Sequence, residues 1–229
     1  MSRFLKNDLE HLKDYIDNFS LKNLLTNKDY IAFISTCHKK YYSFFVATIE
    51  FENSFTENQF VFLKEANSDI ATALFHIMSG SYKSARFSLR SSIECFLKAF
   101  TMNELTDIER EKSVYEIFNK IKALPYFSSN PQKLQFDLIH SIYKDLCKDV
   151  HAAEKINMAQ IDALDLLPKY QKKEAEKIKT IYLSLIPAYL FLLSDKFNGR
   201  FHQIHHSNRD IILMGILKEL RPTIMKIEE

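Results

Sequence analysis

The sequence predicts an all-α protein: an up-and-down helical bundle built on a long antiparallel helical hairpin, with helical extensions at both ends. Glycine and proline are scarce, at three and five of 229 residues, whereas a sheet protein of this size needs many more in its tight turns. Apolar residues recur at steps of three and four along most of the chain, which is the helical period. Hydrophobic residues make up 46% of the chain and charged residues 26%, so a full core can form.

The first 57 residues are predicted to form an N-terminal helical extension. Apolar residues mark one face of a helix over residues 5–25, and residues 27–45 have a similar pattern. The stretch 47–58 has no clear type. The first face consists of Leu5, Leu9, Leu12, Ile16 and Phe19. The sequence leaves open whether this extension packs on the rest of the bundle or exchanges between two copies.

The central hairpin is predicted over residues 58–101. Its first helix, 58–79, has an apolar face of Leu63, Ala66, Ile70, Leu74 and Ile77. Its second helix, 82–101, has an apolar face of Ala85, Leu89, Ile93, Phe96 and Phe100. Between them, Gly80 suits the C-cap of the first helix. Two long helices joined by so short a connection pack antiparallel.

Two further helices follow in the predicted bundle, which covers residues 58–195. Thr106 and Glu109 have the spacing of a capping box, which predicts a helix from there towards Lys122. Asn130 followed by Pro131 predicts a capped start with proline at the first helical position. The apolar stripe of that fourth helix is Leu134, Leu138, Ile142 and Leu146.

The rest of the chain is also predicted to be helical. We expect a short helix over 158–166 and a long one from about Lys169, kinked at Pro187 because proline removes an amide donor. Asn198 and Gly199 should end it. The C-terminal part, 196–229, should hold a last helix over 208–220, stopped by Pro222.

Several classes of protein are disfavoured by composition. No two glycines lie close together, which argues against phosphate-binding loops and dinucleotide fingerprints. A net charge of +2 neither supports nor excludes nucleic acid as a partner. Cys37, Cys95 and Cys147 are widely spaced, as in reduced cytosolic proteins. The N-terminus lacks an apolar signal core, and the longest uncharged run, 180–194, is too short to span a bilayer. We therefore expect a cytoplasmic protein with no membrane segment and no cofactor.

The second hairpin helix carries a charged strip with a four-residue period. It consists of Arg86, Arg90, Glu94 and Lys98. One interpretation is a solvated ladder of ion pairs, with Glu94 and Lys98 in the favourable orientation. The other places Arg90 and Glu94 in a polar cleft, where an arginine can bind phosphate with two nitrogens.

Histidines provide the other candidate residues. His151 lies near the end of the fourth helix, where its cation can interact with the helix dipole or its ring can move protons near neutral pH. His202, His205 and His206 form a local cluster, and His202 and His206 have the i, i+4 spacing of zinc ligands. However, the sequence has no HExxH motif, so we expect no metal site and keep metal binding only as an alternative.

Two segments resemble the HEPN superfamily of helical proteins. The segment GSYKSARFSLRSSIECFLKAF, over residues 80–100, has the aromatic, Ala, Arg and Glu pattern of that family's hairpin. Here these residues are Tyr82, Ala85, Arg90 and Glu94. The later YKDLCKDVHAAEK is similar to a segment of uncharacterised bacterial HEPN-like families, with Cys147 at a small-residue position before the pair Val150 and His151. The resemblance covers about residues 58–195.

The resemblance implies a bundle of four to five helices, often a homodimer, and in many members a metal-independent ribonuclease of toxin–antitoxin or antiphage systems. Such sites have an arginine four to six residues before a histidine, and the arginine stabilises phosphate charge while the histidine moves the 2′-OH proton. No arginine precedes His151 at that spacing. The candidate catalytic residues are therefore His151 with Arg90 and Glu94, or Arg200 with His205, which do have the spacing.

Three functions remain open from the sequence. The first is a HEPN-like protein of a bacterial defence or stress system that acts on RNA. The second is a non-catalytic interaction module, such as a regulatory subunit or antitoxin, which would bind a partner protein through an exposed apolar patch around 181–193. The third is a metal protein that uses the histidine cluster.

Overall fold

The protein is an all-α helical bundle, as predicted. The computed structural model describes residues 10, 13–14, 21–150 and 169–226, and within these ranges it contains helices and no strand. The predicted short helix over 158–166 and most of the predicted first helix lie outside these ranges. Of the latter, α1, Leu21–Leu24, is described.

The hairpin has the bounds that the sequence predicts, within one residue. It consists of α3, Glu57–Ser79, and α4, Tyr82–Thr101. Thr56 and Gln59 form a capping box at the start of α3, and Gly80 ends that helix with a φ of 83°. Gln59 also donates a side-chain hydrogen bond to the carbonyl of Ala99 at the far end of α4. The two helices are therefore antiparallel along their whole length.

Gly80 is expected to tolerate no side chain. A Cβ added there would lie 2.2 Å from the carbonyl oxygen of Lys169, and the left-handed φ disfavours any other residue. We expect Gly80→Ala to lower the free energy of unfolding by at least about 2 kcal/mol. Urea denaturation would measure this. The control is Gly199→Ala, where a Cβ meets nothing within 4 Å; equal stability of the two variants would contradict the prediction.

The helix α2, Lys28–Glu50, belongs to the same core as the hairpin. Asn27 caps its first turn by accepting hydrogen bonds from Asp29 and Tyr30. Its inner face, with Phe33, Cys37 and Phe44, joins the central hydrophobic cluster. The stretch 47–58, which had no clear type in the sequence, holds the end of this helix, a short 3₁₀ turn at Glu52–Ser54 and the start of α3.

The predicted start of the third helix was wrong. The helix α5 covers Val114–Lys122, and Ser113 caps it by accepting from the amide of Glu116. The preceding residues 106–110 form turns. The segment stays non-helical because contacts with other elements fix its conformation. Ile108 is buried, and Lys98 of α4 donates hydrogen bonds to the carbonyls of Glu109 and Glu111.

The helix α6 covers Gln132–Val150, so it begins one residue after the predicted Pro131. Its inward face differs in part from the predicted leucine stripe, because Leu134 is exposed. The buried side chains of α6 are Gln135, Phe136, Ile139, Ile142, Tyr143 and Leu146. Phe136 packs on the rings of Phe118 and Phe127, which explains why aromatic residues displace Leu134 from the core.

The long helix α7, Lys172–Lys196, runs through the centre of the bundle with Pro187 inside it. Every residue from Leu185 to Asp195 is buried, so the exposed apolar patch predicted around 181–193 is wrong. In the described part of the chain, this helix alone is long and apolar enough to cross a membrane. However, 72% of its apolar stretch is buried in the bundle, as in the core helix of a soluble protein.

The C-terminal part is more broken than predicted. The long helix ends at Lys196, two residues before the predicted break at Asn198 and Gly199, and these two residues begin a short helix, α8, Asn198–Gln203. The expected single helix over 208–220 is α9, His206–Gly215, followed by a 3₁₀ turn at Lys218–Leu220. Pro222 does not stop a helix but lies in the first turn of α10, Arg221–Met225, where a missing amide proton costs nothing.

Lysine side chains bind the carbonyl ends of two helices. Lys40 donates to the carbonyls of Met214 and Gly215 at the end of α9. Lys196 donates to the carbonyl of Phe100 in the last turn of α4 and pairs with Glu104 at 2.8 Å. The last carbonyls of a helix lack partners within it, so these lysines satisfy them from neighbouring helices.

Candidate functional site

The charged strip on α4 forms a hydrogen-bonded network with α6. The Nε atom of Arg90 donates to the hydroxyl of Tyr143 at 2.9 Å, and that hydroxyl donates to Oε1 of Glu94 at 2.8 Å. The same Oε1 lies 3.3 Å from Nε of Arg90. We call these three residues the Arg90–Tyr143–Glu94 network. It brings together two of the predicted site residues and adds a tyrosine.

The network leaves part of its arginine open. Only Nε of Arg90 is bonded, and its two terminal nitrogens have no hydrogen-bond partner among the residues that the structure describes. The side chains of Arg90 and Glu94 are 25% and 31% exposed. A guanidinium held through Nε keeps a fixed plane, so its free edge can receive a planar or tetrahedral anion with two parallel hydrogen bonds.

Tyr143 remains a neutral bridge under ordinary conditions. Burial raises the pKa of its hydroxyl, and the hydrogen bond to the Glu94 carboxylate raises that pKa further. The protonated hydroxyl can therefore accept from Arg90 and donate to Glu94 at the same time. The guanidinium of Arg90 also lies 5.4 Å from the centre of the tyrosine ring, which adds a cation–π contact.

The hairpin side of the network carries a half-buried acidic group, Asp69. Burial raises the pKa of the Asp69 carboxyl, although a hydrogen bond from Ser91 lowers it. The Oδ2 atom of Asp69 is buried and has no partner among the described residues. Next to it, burial raises the pKa of the Cys95 thiol to about 11. The negative charges of Asp69, Glu65 and Glu94 also raise that pKa, so acidic groups cluster on this side of the network.

The two ends of the charged strip have different roles. Lys98 does not pair with Glu94 but binds backbone carbonyls of the loop before α5. Arg86 is half-buried one turn before Arg90. The strip is therefore not a fully solvated ladder, because all four side chains are partly buried and Lys98 is bound to a loop.

His151 lies outside the described residues, so only the sequence relates it to the network. The described part of α6 ends at Val150. Cys147, in the last described turns, is close enough to Arg90 and Tyr143 to affect their titration.

The second predicted pair, Arg200 and His205, has other contacts. Nε of Arg200 donates to the carbonyl of Glu50 at 3.1 Å, and a terminal nitrogen lies 3.8 Å from the Glu50 carboxylate. Asn208 donates to the same carboxylate at 2.6 Å. The ring of His205 lies 4.2 Å from that of His206. Arg200 thus ties the C-terminal helices to the end of α2, and within the described ranges no hydrogen bond joins it to His205.

The histidine cluster does not form a metal site with its described neighbours. No group of three His, Cys, Asp or Glu side chains that could hold a metal ion occurs in the part of the chain that the structure describes. His202 is half-buried, and its Nε2 has no hydrogen-bond partner within the described ranges. The interpretation as a metal protein therefore gains no support here.

Two members of the site were missed from the sequence. Tyr143 was overlooked because the apolar stripe of α6 was defined by its leucines. Asp69 was overlooked because no sequence pattern distinguishes it from the polar residues before it, Asn67 and Ser68. The one sequence feature that could have indicated Tyr143 is its spacing from Cys147, one turn later along α6.

Comparison of the chain with protein-family models, with curated proteins and with solved structures gives no match.

Proposed function

We propose that the chain is a HEPN-like cytoplasmic protein of a bacterial defence or stress system and that it acts on RNA. The observation that carries this proposal is that the two terminal nitrogens of Arg90 have no hydrogen-bond partner among the described residues. Its Nε donates a hydrogen bond to Tyr143. An arginine oriented in this way fits a phosphodiester, which offers two oxygens at the matching spacing.

The chemistry would be metal-independent cleavage. His151 removes the proton of a ribose 2′-OH, and the 2′-oxygen attacks the adjacent phosphorus to form a 2′,3′-cyclic phosphate. The bond from phosphorus to the 5′-oxygen breaks, and the leaving 5′-oxygen takes a proton from water. Arg90 stabilises the negative charge that builds up on the phosphate oxygens, and Glu94 and Tyr143 hold Arg90 in place. A histidine suits the proton transfer because its ordinary pKa lies near neutral pH. The resemblance also leads us to propose a homodimer.

The test is an RNA-cleavage assay in EDTA with wild-type protein, His151→Ala and His205→Ala in parallel. We expect cleavage by the wild type and by His205→Ala, and a loss of about 10²–10⁴-fold in His151→Ala, the usual contribution of a general base. Loss in His205→Ala alone would move the site to Arg200. Circular dichroism of His151→Ala and His205→Ala would verify that both variants keep the helical fold.

A lack of cleavage by clean wild-type protein on several RNA types would contradict the ribonuclease. It would favour the second function, a non-catalytic interaction module that binds a partner protein. Binding of RNA without cleavage, measured by fluorescence anisotropy at several salt concentrations, would separate an RNA-binding module from a protein-binding one.

A further inference from the structure

The outward face of α2 carries an apolar seam. The seam consists of Ile31, Ser35, His38, Tyr42, Phe45 and Ile49. Tyr42, Phe45 and Ile49 are 45%, 37% and 52% exposed, although the opposite face of α2 is buried in the core. The seam rings are aligned: His38 stacks on Tyr42 at 6.2 Å and Tyr42 on Phe45 at 6.4 Å. None of the described elements covers this face.

The spacing of the seam indicates that its partner is a helix. Its members follow one another at steps of four and three residues over five turns. That alternation is the a and d pattern of a coiled coil, in which each side chain fits between residues of a second helix. A nucleic acid or a flat protein surface would not require this period, and a surface helix normally has charged residues there.

A segment of the same chain has the matching pattern. Leu5, Leu9, Leu12, Ile16 and Phe19 also alternate at steps of four and three, and they lie outside the described residues. The segment leads into α1, Leu21–Leu24. Only Leu25, Thr26 and the cap residue Asn27 separate α1 from α2. Helices with so short a connection pack side by side and antiparallel.

One antiparallel register matches the two patterns completely. It sets Leu5 against Ile49, Leu9 against Phe45, Leu12 against Tyr42, Ile16 against His38 and Phe19 against Ser35. Each step of four then faces a step of four, and a shift by one residue would break this agreement. The agreement over five pairs is independent of the length of the connection.

We propose that residues 5–19 of each chain dock as a helix on the α2 seam of the same chain. The three-residue connection keeps the two partners at a high effective concentration, which favours the same chain over a second copy. The docked segment would bury the exposed aromatic rings and complete a second helical hairpin beside the central one.

Disulfide trapping tests this register in the full chain. The half-buried Cys95 and Cys147 are first changed to Ser, and the buried Cys37 is kept. We expect Leu9→Cys with Phe45→Cys to form an intramolecular disulfide on mild oxidation, because facing seam positions bring two Cβ atoms within bonding distance. The control is Glu10→Cys with Phe45→Cys, which places the first thiol about 100° further round the helix. Trapping should be at least about tenfold slower in the control.

The product is read by non-reducing electrophoresis and mass spectrometry. A cross-linked monomer from the Leu9 pair, with little from the control, supports the proposal. A covalent dimer would overturn it and assign the seam to a second copy. Equal trapping of both pairs, or none, would also overturn it. If the Leu9 pair fails to fold, Leu12→Cys with Tyr42→Cys tests the same register.

Discussion

Replacing Arg90 with alanine should lower RNA cleavage by about 10²–10³-fold, the usual cost of removing one donor to a developing negative charge. Arg90 is the one cationic member of the network, and its terminal nitrogens have no hydrogen-bond partner among the described residues. Arg90→Lys should recover little, because an ammonium group lacks both the fork and the Nε that Tyr143 binds. Single-turnover cleavage in EDTA is the measurement.

Arg110→Ala is the matched control for this prediction. Arg110 is exposed in the turn before α5, so its loss changes the net charge equally without touching the network. Thermal unfolding of both variants should be close to that of the wild type, because Arg90 is partly exposed. If Arg90→Ala cleaves RNA as the wild type does, the network is structural and the phosphate site lies elsewhere.

Phe96→Ala should destabilise the fold by about 3–5 kcal/mol, the range for a large aromatic residue removed from a core. The ring of Phe96 is fully buried. It is stacked on Tyr189 with the ring centres 3.9 Å apart and an angle of 12°, and on Phe100 at 5.7 Å. It therefore joins α4 to the central helix α7, and no other side chain can fill its place.

Urea denaturation would measure this loss as a lower midpoint with an unchanged slope. Phe87→Ala provides the comparison on the same helix, because Phe87 is 43% exposed. We expect that variant to lose less than about 1 kcal/mol. Similar losses for the two phenylalanines would mean that α4 is rotated relative to the bundle described here.

The central hairpin could be predicted because several local signals agree on it. Gly80 supplies the left-handed cap, the apolar residues of both helices keep one period, and the connection is short. The third helix could not be placed correctly, because Thr106 with Glu109 and Ser113 with Glu116 are equally good capping boxes. Distant contacts of Ile108 and Lys98 decide between them, and the sequence does not display those contacts.

The candidate site was predicted only in part. Arg90 and Glu94 stood out because a four-residue period places them on one face of α4. Their bridging partner Tyr143 comes from another helix, and the pairing depends on how α4 and α6 are rotated about their axes. That rotation is set by packing of aromatic side chains such as Phe136, which composition and period cannot rank against leucine.

The lysines at the helix ends explain a feature of the composition. Most proteins end many helices with glycine, yet this chain has three glycines in 229 residues. Lys40 and Lys196 stabilise helix ends from neighbouring helices instead, by donating hydrogen bonds to the last carbonyls of α9 and α4. The cost is that two secondary-structure boundaries depend on amines, so acylation of these lysines would loosen helix ends that a glycine cap would keep.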